Sequence, residues 1–468
     1  MKKILVTLAL CTIISACKNE NKPEAVAETK GIAAVTPEMP ENAIIYEANI
    51  RQYSPEGTFN AFAKDIPTLK KLGVKILWLM PIHEIGYEKR KADGKLSIED
   101  IKDEKEKEKY LGSYYSVKDY RSINKMYGTA DDFKNLVKTA HENGLYVILD
   151  WVANHTAWDH PWMKSNPDFY EKDAKGNYVS PFDWTDVVSL NYSNTGLRKA
   201  MFEDMKFWLT DFNIDGFRCD VAMEVPLDFW EQATAELNKV KPIFMLMEAE
   251  QPNMMKKAFD MQYGWTAHHV MNGIAKGEKT VADFDKYITE NTTKYEANDI
   301  FMNFTSNHDE NSWNGTEYER MGDAVETFAA LSYTMPGMPL IYNGQEYNMN
   351  KRLKFFEKDT ITRTEGKMMD VYEKLGKLKT ENIALNGGKN PAKYTRIKTS
   401  NDTKILAFAR EKEGKKVYYI ANLTKEPQEF SLELQGAFTD YMPKAKIDLK
   451  ASQKHSFKPW EYKILVVE

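Results

Sequence analysis

Residues 214–220 read IDGFRCD, a short segment of strand character that ends in an arginine and an aspartate two positions apart. Side chains of a β-strand alternate between its two faces, so Arg218 and Asp220 are expected on the same face. A guanidinium beside a buried carboxylate favours its ionised form, and an ionised carboxylate can act as a nucleophile. The same pair is typical of a structural ion pair at a strand end. Whether the pair is catalytic or structural therefore depends on the rest of the chain.

Seven more short apolar runs surround this one, and helical patterns separate them. The amphipathic stretches 59–72 and 131–143 are examples, and Gly144 ends the second. Eight alternations of strand and helix favour an α/β fold in which a parallel sheet closes into a (β/α)8 TIM barrel. The predicted strands are 44–47, 76–80, 146–150, 214–220, 243–248, 261–265, 300–305 and 339–342.

Two insertions and a change of pattern divide the chain further. Residues 87–109, after the second strand, are dominated by Lys, Glu and Asp, which indicates a solvated loop or an exposed helix. The connection at about 156–195, after the third strand, is unusually long and rich in aromatic residues, which predicts a small loop subdomain. Short alternating strands replace helices over 384–468, so we expect an antiparallel β-sandwich behind a barrel at 41–383.

The first forty residues predict export. Two lysines precede an apolar run at 4–15 that is too short to span a membrane. The run ends in Ile-Ser-Ala-Cys17, which resembles the lipobox of bacterial lipoproteins, where a signal peptide, here 1–16, is removed and the cysteine carries lipid. Residues 17–40 then form a flexible tether. We expect a membrane-anchored lipoprotein on the periplasmic or outer-membrane face of a bacterium; a plain secretory signal is the alternative.

Charge and cysteine content exclude some partners. The chain has 64 Lys+Arg and 69 Asp+Glu, a formal net charge of -5, which gives no broad basic field for nucleic acid. Of the three cysteines, Cys11 leaves with the predicted signal and Cys17 carries lipid. Only Cys219 remains in the folded part, so no intrachain disulfide is expected.

Polar motifs follow four of the predicted strands. They are DWVANH at 150–155, RCD at 218–220, ME at 247–248 and NHD at 307–309. Each alone is compatible with turn chemistry or a helix cap. Because the carboxyl ends of barrel strands converge on one mouth, all four are expected to meet in space. Together they favour a catalytic site.

With these motifs the chain, over roughly 43–468, resembles the α-amylase family of glycoside hydrolases. Further agreements lie at 73–81, 115–120, 337–339 and 344–346. The resemblance implies hydrolysis of α-linked glucosides with retention of anomeric configuration and no cofactor for the chemistry. It makes Asp220 the nucleophile, Glu248 the general acid and base, and Asp309 the carboxylate that stabilises the transition state.

The reaction explains these residue types. One carboxylate must attack C1 of the sugar while a protonated one gives its proton to the leaving oxygen. Arg218 favours the ionised form of Asp220, whereas nearby aspartates and apolar residues should raise the pKa of Glu248. We expect the two carboxyl groups about 5–5.5 Å apart. Glu250 is the rival for the role of the acid.

The resemblance also implies substrate-binding residues. His155 and His308 are expected to hydrogen-bond sugar hydroxyls, Tyr115 to stack on the glucose ring, and Asp150 to orient Arg218 or the nearby backbone. The calcium motif of the family is incomplete here. Asn154 matches one family calcium ligand, but Met223 and Glu224 replace the Lys-His pair of many calcium-dependent members.

The expected function is a retaining α-glucan hydrolase that acts on starch-like polysaccharides or maltooligosaccharides, most readily at α-1,4 bonds. The motif VSLN at 188–191 leaves the choice between α-1,4 and α-1,6 bonds open. A transglycosylase of the same fold is the nearest alternative. A non-catalytic glycan-binding lipoprotein is a further one, although such a protein should have lost one of the three carboxylates.

Overall fold

The computed structural model of the protein describes Ile32 and residues 34–467. The predicted signal peptide, Cys17 and most of the predicted tether lie outside the described residues. Within the described part, no helix is long and apolar enough to cross a membrane.

Eight parallel strands form a closed barrel in the order β1-β8-β7-β6-β5-β4-β3-β2. Each overlaps one predicted strand, so the predicted TIM barrel is confirmed. The strands are β1 (Ile45–Ala48), β2 (Ile76–Leu79), β3 (Tyr146–Trp151), β4 (Gly216–Cys219), β5 (Phe244–Met247), β6 (Met261–Tyr263), β7 (Ile300–Asn303) and β8 (Met338–Tyr342).

Helices pack around this barrel, with two local differences from a regular alternation. The amphipathic stretch 59–72 forms two helices, because Pro67 has no backbone N–H and starts a new one. A single 3-10 turn, Met254–Lys256, lies between β5 and β6. The α-helices are Ile50–Tyr53, Phe59–Ala63, Ile66–Lys71, Glu104–Lys107, Ala130–Glu142, Trp162–Ser165, Thr195–Asp211, Leu227–Val240, Trp265–Lys276, Val281–Lys294, Glu317–Met321, Val325–Thr334 and Met368–Glu381.

The base of the barrel is filled by the chain that precedes β1. Met39 belongs to the same apolar cluster as the first residues of several strands, among them Ile45 and Ile76. Ile32 and Val35 pack against this cluster. The described end of the predicted tether therefore lies against the barrel, on the side opposite its mouth.

The loop subdomain after β3 and the C-terminal sheets complete the fold. In the subdomain, strand His155–Ala157 pairs antiparallel with Val187–Ser189. At the C-terminus, a six-stranded antiparallel sheet and a two-stranded sheet share one apolar cluster, as expected for a β-sandwich. The strands are β9 (Lys393–Arg396), β10 (Ile405–Lys412), β11 (Lys415–Asn422), β12 (Gln428–Ser431), β13 (Gly436–Asp440), β14 (Ala445–Leu449), β15 (Lys454–Phe457) and β16 (Tyr462–Val466).

Candidate active site

Arg218 lies at the centre of the polar groups in the barrel mouth. It is on β4 and fully buried. Its Nη1 donates to Oδ1 of Asp150 at 3.0 Å and to Oδ1 of Asp220 at 2.8 Å. Its Nη2 lies 2.9 Å from Oε2 of Glu248, an ionic contact rather than an aligned hydrogen bond. One guanidinium therefore joins carboxylates from three neighbouring strands.

The carboxyl groups of Asp220 and Glu248 differ in their protonation. Burial raises the pKa of Asp220 to about 6, although the Arg218 guanidinium opposes this. Arg218 favours the ionised form as expected, but desolvation exceeds the attraction of the guanidinium, so the net shift is upward. Burial, reinforced by the nearby aspartates, raises the pKa of Glu248 to about 7. Burial thus raises both pKa values and raises that of Glu248 further, so Asp220 is the more readily ionised of the two.

A second group of side chains surrounds Asp309. His308 Nε2 lies 3.3 Å from Oδ2 of Asp309 and 2.7 Å from the hydroxyl of Tyr115. On its other side, His308 Nδ1 lies 2.5 Å from Oε1 of Glu47 on β1. Burial alone would lower the pKa of His308, but the carboxylates of Asp309 and Glu47 outweigh it and raise the pKa to about 9. The imidazole is therefore a cation at neutral pH.

Tyr115, His308 and Asp309 line one cavity of about 440 Å³ at the mouth, together with Asp220 and Glu248. Arg218 and Asp150 lie beneath its floor, both fully buried. Burial lowers the pKa of His155 to about 3, so this ring faces the cavity as a neutral imidazole that can pair with hydroxyl groups. The predicted site residues on the cavity wall are Tyr115, His155, Asp220, Glu248, His308 and Asp309.

The family model described as alpha amylase, catalytic domain, matches residues 23–382. The chain belongs to the α-amylase family. It is 26% identical over 467 residues to alpha-amylase 3 of Dictyoglomus thermophilum, covering 84% of this chain and 86% of that protein. It is 24% identical over 423 residues to alpha-amylase MalA of Haloarcula japonica, covering 86% of this chain but only 59% of that protein.

A solved structure and a transferase extend the comparison. The noncanonic maltogenic alpha-amylase AmyB from Thermotoga neapolitana matches with a TM-score of 0.80 and 28% identity, covering 91% of this chain and 98% of that one. An alpha-1,4-glucan:maltose-1-phosphate maltosyltransferase of Picrophilus torridus is 27% identical over 397 residues, covering 78% of this chain and 59% of that protein. The protein is thus an enzyme of the glycoside hydrolase type, in a family that contains hydrolases and transferases.

Sequence reasoning missed three residues that contact the α-amylase motifs. Glu47 contacts His308, Trp78 Nε1 donates to Oδ2 of Asp150 at 3.0 Å, and the Tyr263 hydroxyl accepts from Nε of Arg218 at 3.1 Å. Glu47 could have been recognised in the sequence, because a charged residue within the apolar run of a strand needs a buried partner. Trp78 and Tyr263 look like ordinary core residues in the sequence.

The charged segment 87–109 also differs from its expectation. Lys91 and Gly94 from this segment line the cavity. Lys91 is only 9% exposed, because its ammonium donates to the carbonyl of Asp183 at 3.2 Å and lies 4.0 Å from Oδ1 of Asp186. Part of the segment is therefore a wall of the site rather than a solvated loop.

Glu250 lies outside the cavity wall. Its Oε2 accepts hydrogen bonds from the backbone N–H of Thr266 at 2.9 Å and from its hydroxyl at 3.0 Å. These bonds hold the start of helix Trp265–Lys276, which gives Glu250 a structural role.

The residues around Asn154 do not fit a calcium cage. Its side-chain Nδ2 lies 3.3 Å from Nδ1 of His155, and its carbonyl accepts from the N–H of Leu190. Among the described residues, no group of three or more His, Cys, Asp or Glu side chains could hold a metal ion. Calcium normally takes six to eight oxygen ligands. No step of the chemistry is assigned to it.

Glu47→Gln is expected to shift the titration of His308. Removing this carboxylate leaves Asp309 as the main anionic neighbour against the effect of burial, so the pKa of His308 should fall below about 9. In the parent, the stabilisation from protonated His308 is complete below about pH 6.5 and is lost as pH rises through about 9, a change of about 3 kcal/mol. NMR titration of the histidine rings measures the pKa, and thermal unfolding against pH measures the stability.

The matched control is Glu346→Gln. Glu346 is equally buried but contacts Tyr46 instead of His308. Its replacement should leave the His308 titration unchanged. A parental His308 pKa in the Glu47 variant would show that this contact does not set the charge of the imidazole.

Proposed function

We propose that this protein is a retaining α-glucan hydrolase that cleaves α-glucosidic bonds, chiefly α-1,4, in starch-like polysaccharides or maltooligosaccharides. The observation that carries the proposal is the sharing of one buried guanidinium by Asp220 and Glu248. The two carboxyl groups line one cavity and differ in pKa, with Glu248 the higher. A double displacement needs such a pair, one ionised and one protonated.

In the first step, a carboxylate oxygen of Asp220 attacks C1 of the glucose unit. The C1–O bond to the leaving sugar breaks, and Glu248 gives its proton to that oxygen. In the second step, Glu248 removes a proton from water, and the water oxygen attacks C1 and displaces Asp220. Two inversions at C1 retain the α configuration, and Glu248 ends protonated again.

The remaining residues support this reaction through charge and contact. Asp309, whose side chain is 34% exposed, offers a carboxylate to the sugar as positive charge develops at C1. His308 and His155 offer a charged and a neutral imidazole to sugar hydroxyls. Tyr115 presents its ring beside His308, with centroids 5.5 Å apart.

The relatives support an α-glucan substrate and leave transglycosylation as the alternative reaction. Two are named alpha-amylases, whereas the maltosyltransferase moves maltosyl groups between sugars. Transglycosylation differs only in the second step, where a sugar hydroxyl replaces water. Chromatography of products formed with and without added maltose separates the two: products longer than the substrate would favour a transferase.

The test of the proposal is the configuration of the first product. On maltooligosaccharides, proton NMR recorded before mutarotation should show the α anomer. A β anomer would contradict the double displacement. Absence of any cleavage of maltooligosaccharides, amylose or pullulan would favour the non-catalytic alternative.

We also propose that the chain is exported and anchored through lipid on Cys17. The support is the sequence pattern alone, a basic start followed by a short apolar run that ends in Ile-Ser-Ala-Cys. Cys17→Ser should move the enzyme from the membrane fraction to the soluble fraction of a bacterial host. Cys11→Ser, inside the predicted signal, is the matched control and should remain with the membrane. A Cys17 variant that stays in the membrane fraction would contradict the anchor.

A further inference from the structure

The long loop after β2 is joined to the loop after β8. Tyr110 and Glu357 form an antiparallel bridge, and the N–H of Leu111 donates to the carbonyl of Phe356 at 2.7 Å. We call residues 86–112, together with 355–357, the end wall. The end wall is thus built from two loops that follow different barrel strands.

Arg51 connects these two loops through hydrogen bonds to both. It lies on helix Ile50–Tyr53, directly after β1, and is 1% exposed. Its Nη1 donates to the carbonyl of Gly112 at 3.1 Å, and its Nη2 donates to the carbonyl of Phe355. A buried guanidinium cannot leave these carbonyls without losing charge-assisted hydrogen bonds. The junction of the two loops is therefore fixed.

The other side of the end wall is attached to the loop subdomain. The N–H of Tyr87 donates to Oδ2 of Asp159 at 3.1 Å, and the ammonium of Lys89 lies 3.2 Å from the ring centroid of Trp158. Lys91 adds its bond to the carbonyl of Asp183. The end wall therefore runs without interruption from the loop after β8 to the subdomain.

Barrel order places the end wall across the mouth from Glu248. Strands β2 and β8 flank β1, and β5 stands opposite β1 in the ring of eight. Glu248 directly follows β5, whereas Lys91, Gly94, Phe355 and Phe356 of the end wall line the same cavity. The ring of Phe355 also stacks near that of Tyr115, with centroids 6.4 Å apart and planes 12° apart. The end wall is thus continuous with the face that receives the attacked glucose.

The direction of the substrate follows from the position of the acid. A proton donor must lie beside the leaving oxygen, so the departing part of the glucan, which carries the reducing end, lies on the side of Glu248. The attacked glucose and the units before it extend toward the end wall. We propose that the end wall stops the glucan there, so that the enzyme acts from non-reducing chain ends and releases short oligosaccharides. This inference rests on the proposed function.

A pair of substrates tests the inference without altering the protein. Both are p-nitrophenyl maltoheptaosides, and one carries a benzylidene acetal on its non-reducing glucose. The uncapped substrate should be cleaved with early products of one fixed short length. The cap should lower kcat/KM by about 10²-fold, because it keeps the chain from reaching its place against the end wall.

The outcomes separate the two proposals. Equal cleavage of both substrates into mixed lengths would overturn the inference while the hydrolase function stands. Cleavage of neither substrate would overturn the proposed function, and the inference with it.

A variant of the end wall gives an independent readout. Replacing Lys91 and Phe355 by alanine removes two side chains that line the closed end, so the loss caused by the cap should shrink by about tenfold. Lys105→Ala is the matched control, an exposed lysine on the helix Glu104–Lys107 of the same loop, and should keep the parental ratio. An unchanged ratio in the folded double variant would show that the end wall does not exclude the cap.

Discussion

Asp220→Asn is expected to lower kcat on maltooligosaccharides by ~10⁴-fold or more, since the amide cannot form the glycosyl ester on which both steps depend. The asparagine keeps the shape of the side chain and an oxygen that accepts from Arg218. Asp150 still pairs with the guanidinium. Initial rates on maltoheptaose measure the loss.

Thermal unfolding distinguishes a chemical effect from misfolding. Asp220 is buried, so its carboxylate loses hydration on folding, and a neutral amide does not incur this penalty. The melting temperature of the asparagine variant should therefore be no lower than that of the parent. Asp228→Asn is the matched control, a surface aspartate that is 70% exposed and paired with Arg198, and should keep the parental kcat. Parental turnover by the Asp220 variant would end its assignment as the nucleophile.

Glu248→Gln is expected to lower kcat on maltooligosaccharides by about 10³-fold, because the leaving oxygen then departs without a proton. The first step should slow far less on maltosyl fluoride, whose leaving group needs no proton.

The pH dependence of kcat tests the same two assignments. In the parent, activity should fall as pH rises through about 7, where Glu248 loses its proton, and as pH falls through about 6, where Asp220 gains one.

Glu250→Gln is the matched control for this variant. It changes the same residue type two positions along the chain, but its partner is Thr266 rather than Arg218. Parental turnover is expected. Loss of activity in Glu250→Gln together with normal activity in Glu248→Gln would reverse the assignment of the acid.

The barrel and the meeting of polar side chains at its strand ends are predictable from sequence for a physical reason. A strand end in a barrel fixes where its side chain points, so Arg218, Asp220 and Glu248 are placed together without knowledge of any contact. Long-range contacts escape this reasoning. Glu47 meets His308 across 261 positions of the chain, and nothing local to either residue specifies the other.

Two regions were hard to predict because local sequence does not specify long-range contacts: the charged segment 87–109 and part of the β-sandwich. Lys91 sits in a run of charges that is typical of solvent exposure, but its partners come from a different loop. Four strands of the β-sandwich, β9, β13, β14 and β15, have few buried residues. Without an apolar alternation they left little pattern to recognise.

The filling of the barrel base by Met39 determines how an anchored enzyme would meet its substrate. The chain enters the fold from the face opposite the cavity. A lipid attached further toward the amino terminus would therefore be connected to the base of the barrel, away from the opening. The ends of large glucan polymers could then reach the opening without passing the point of attachment.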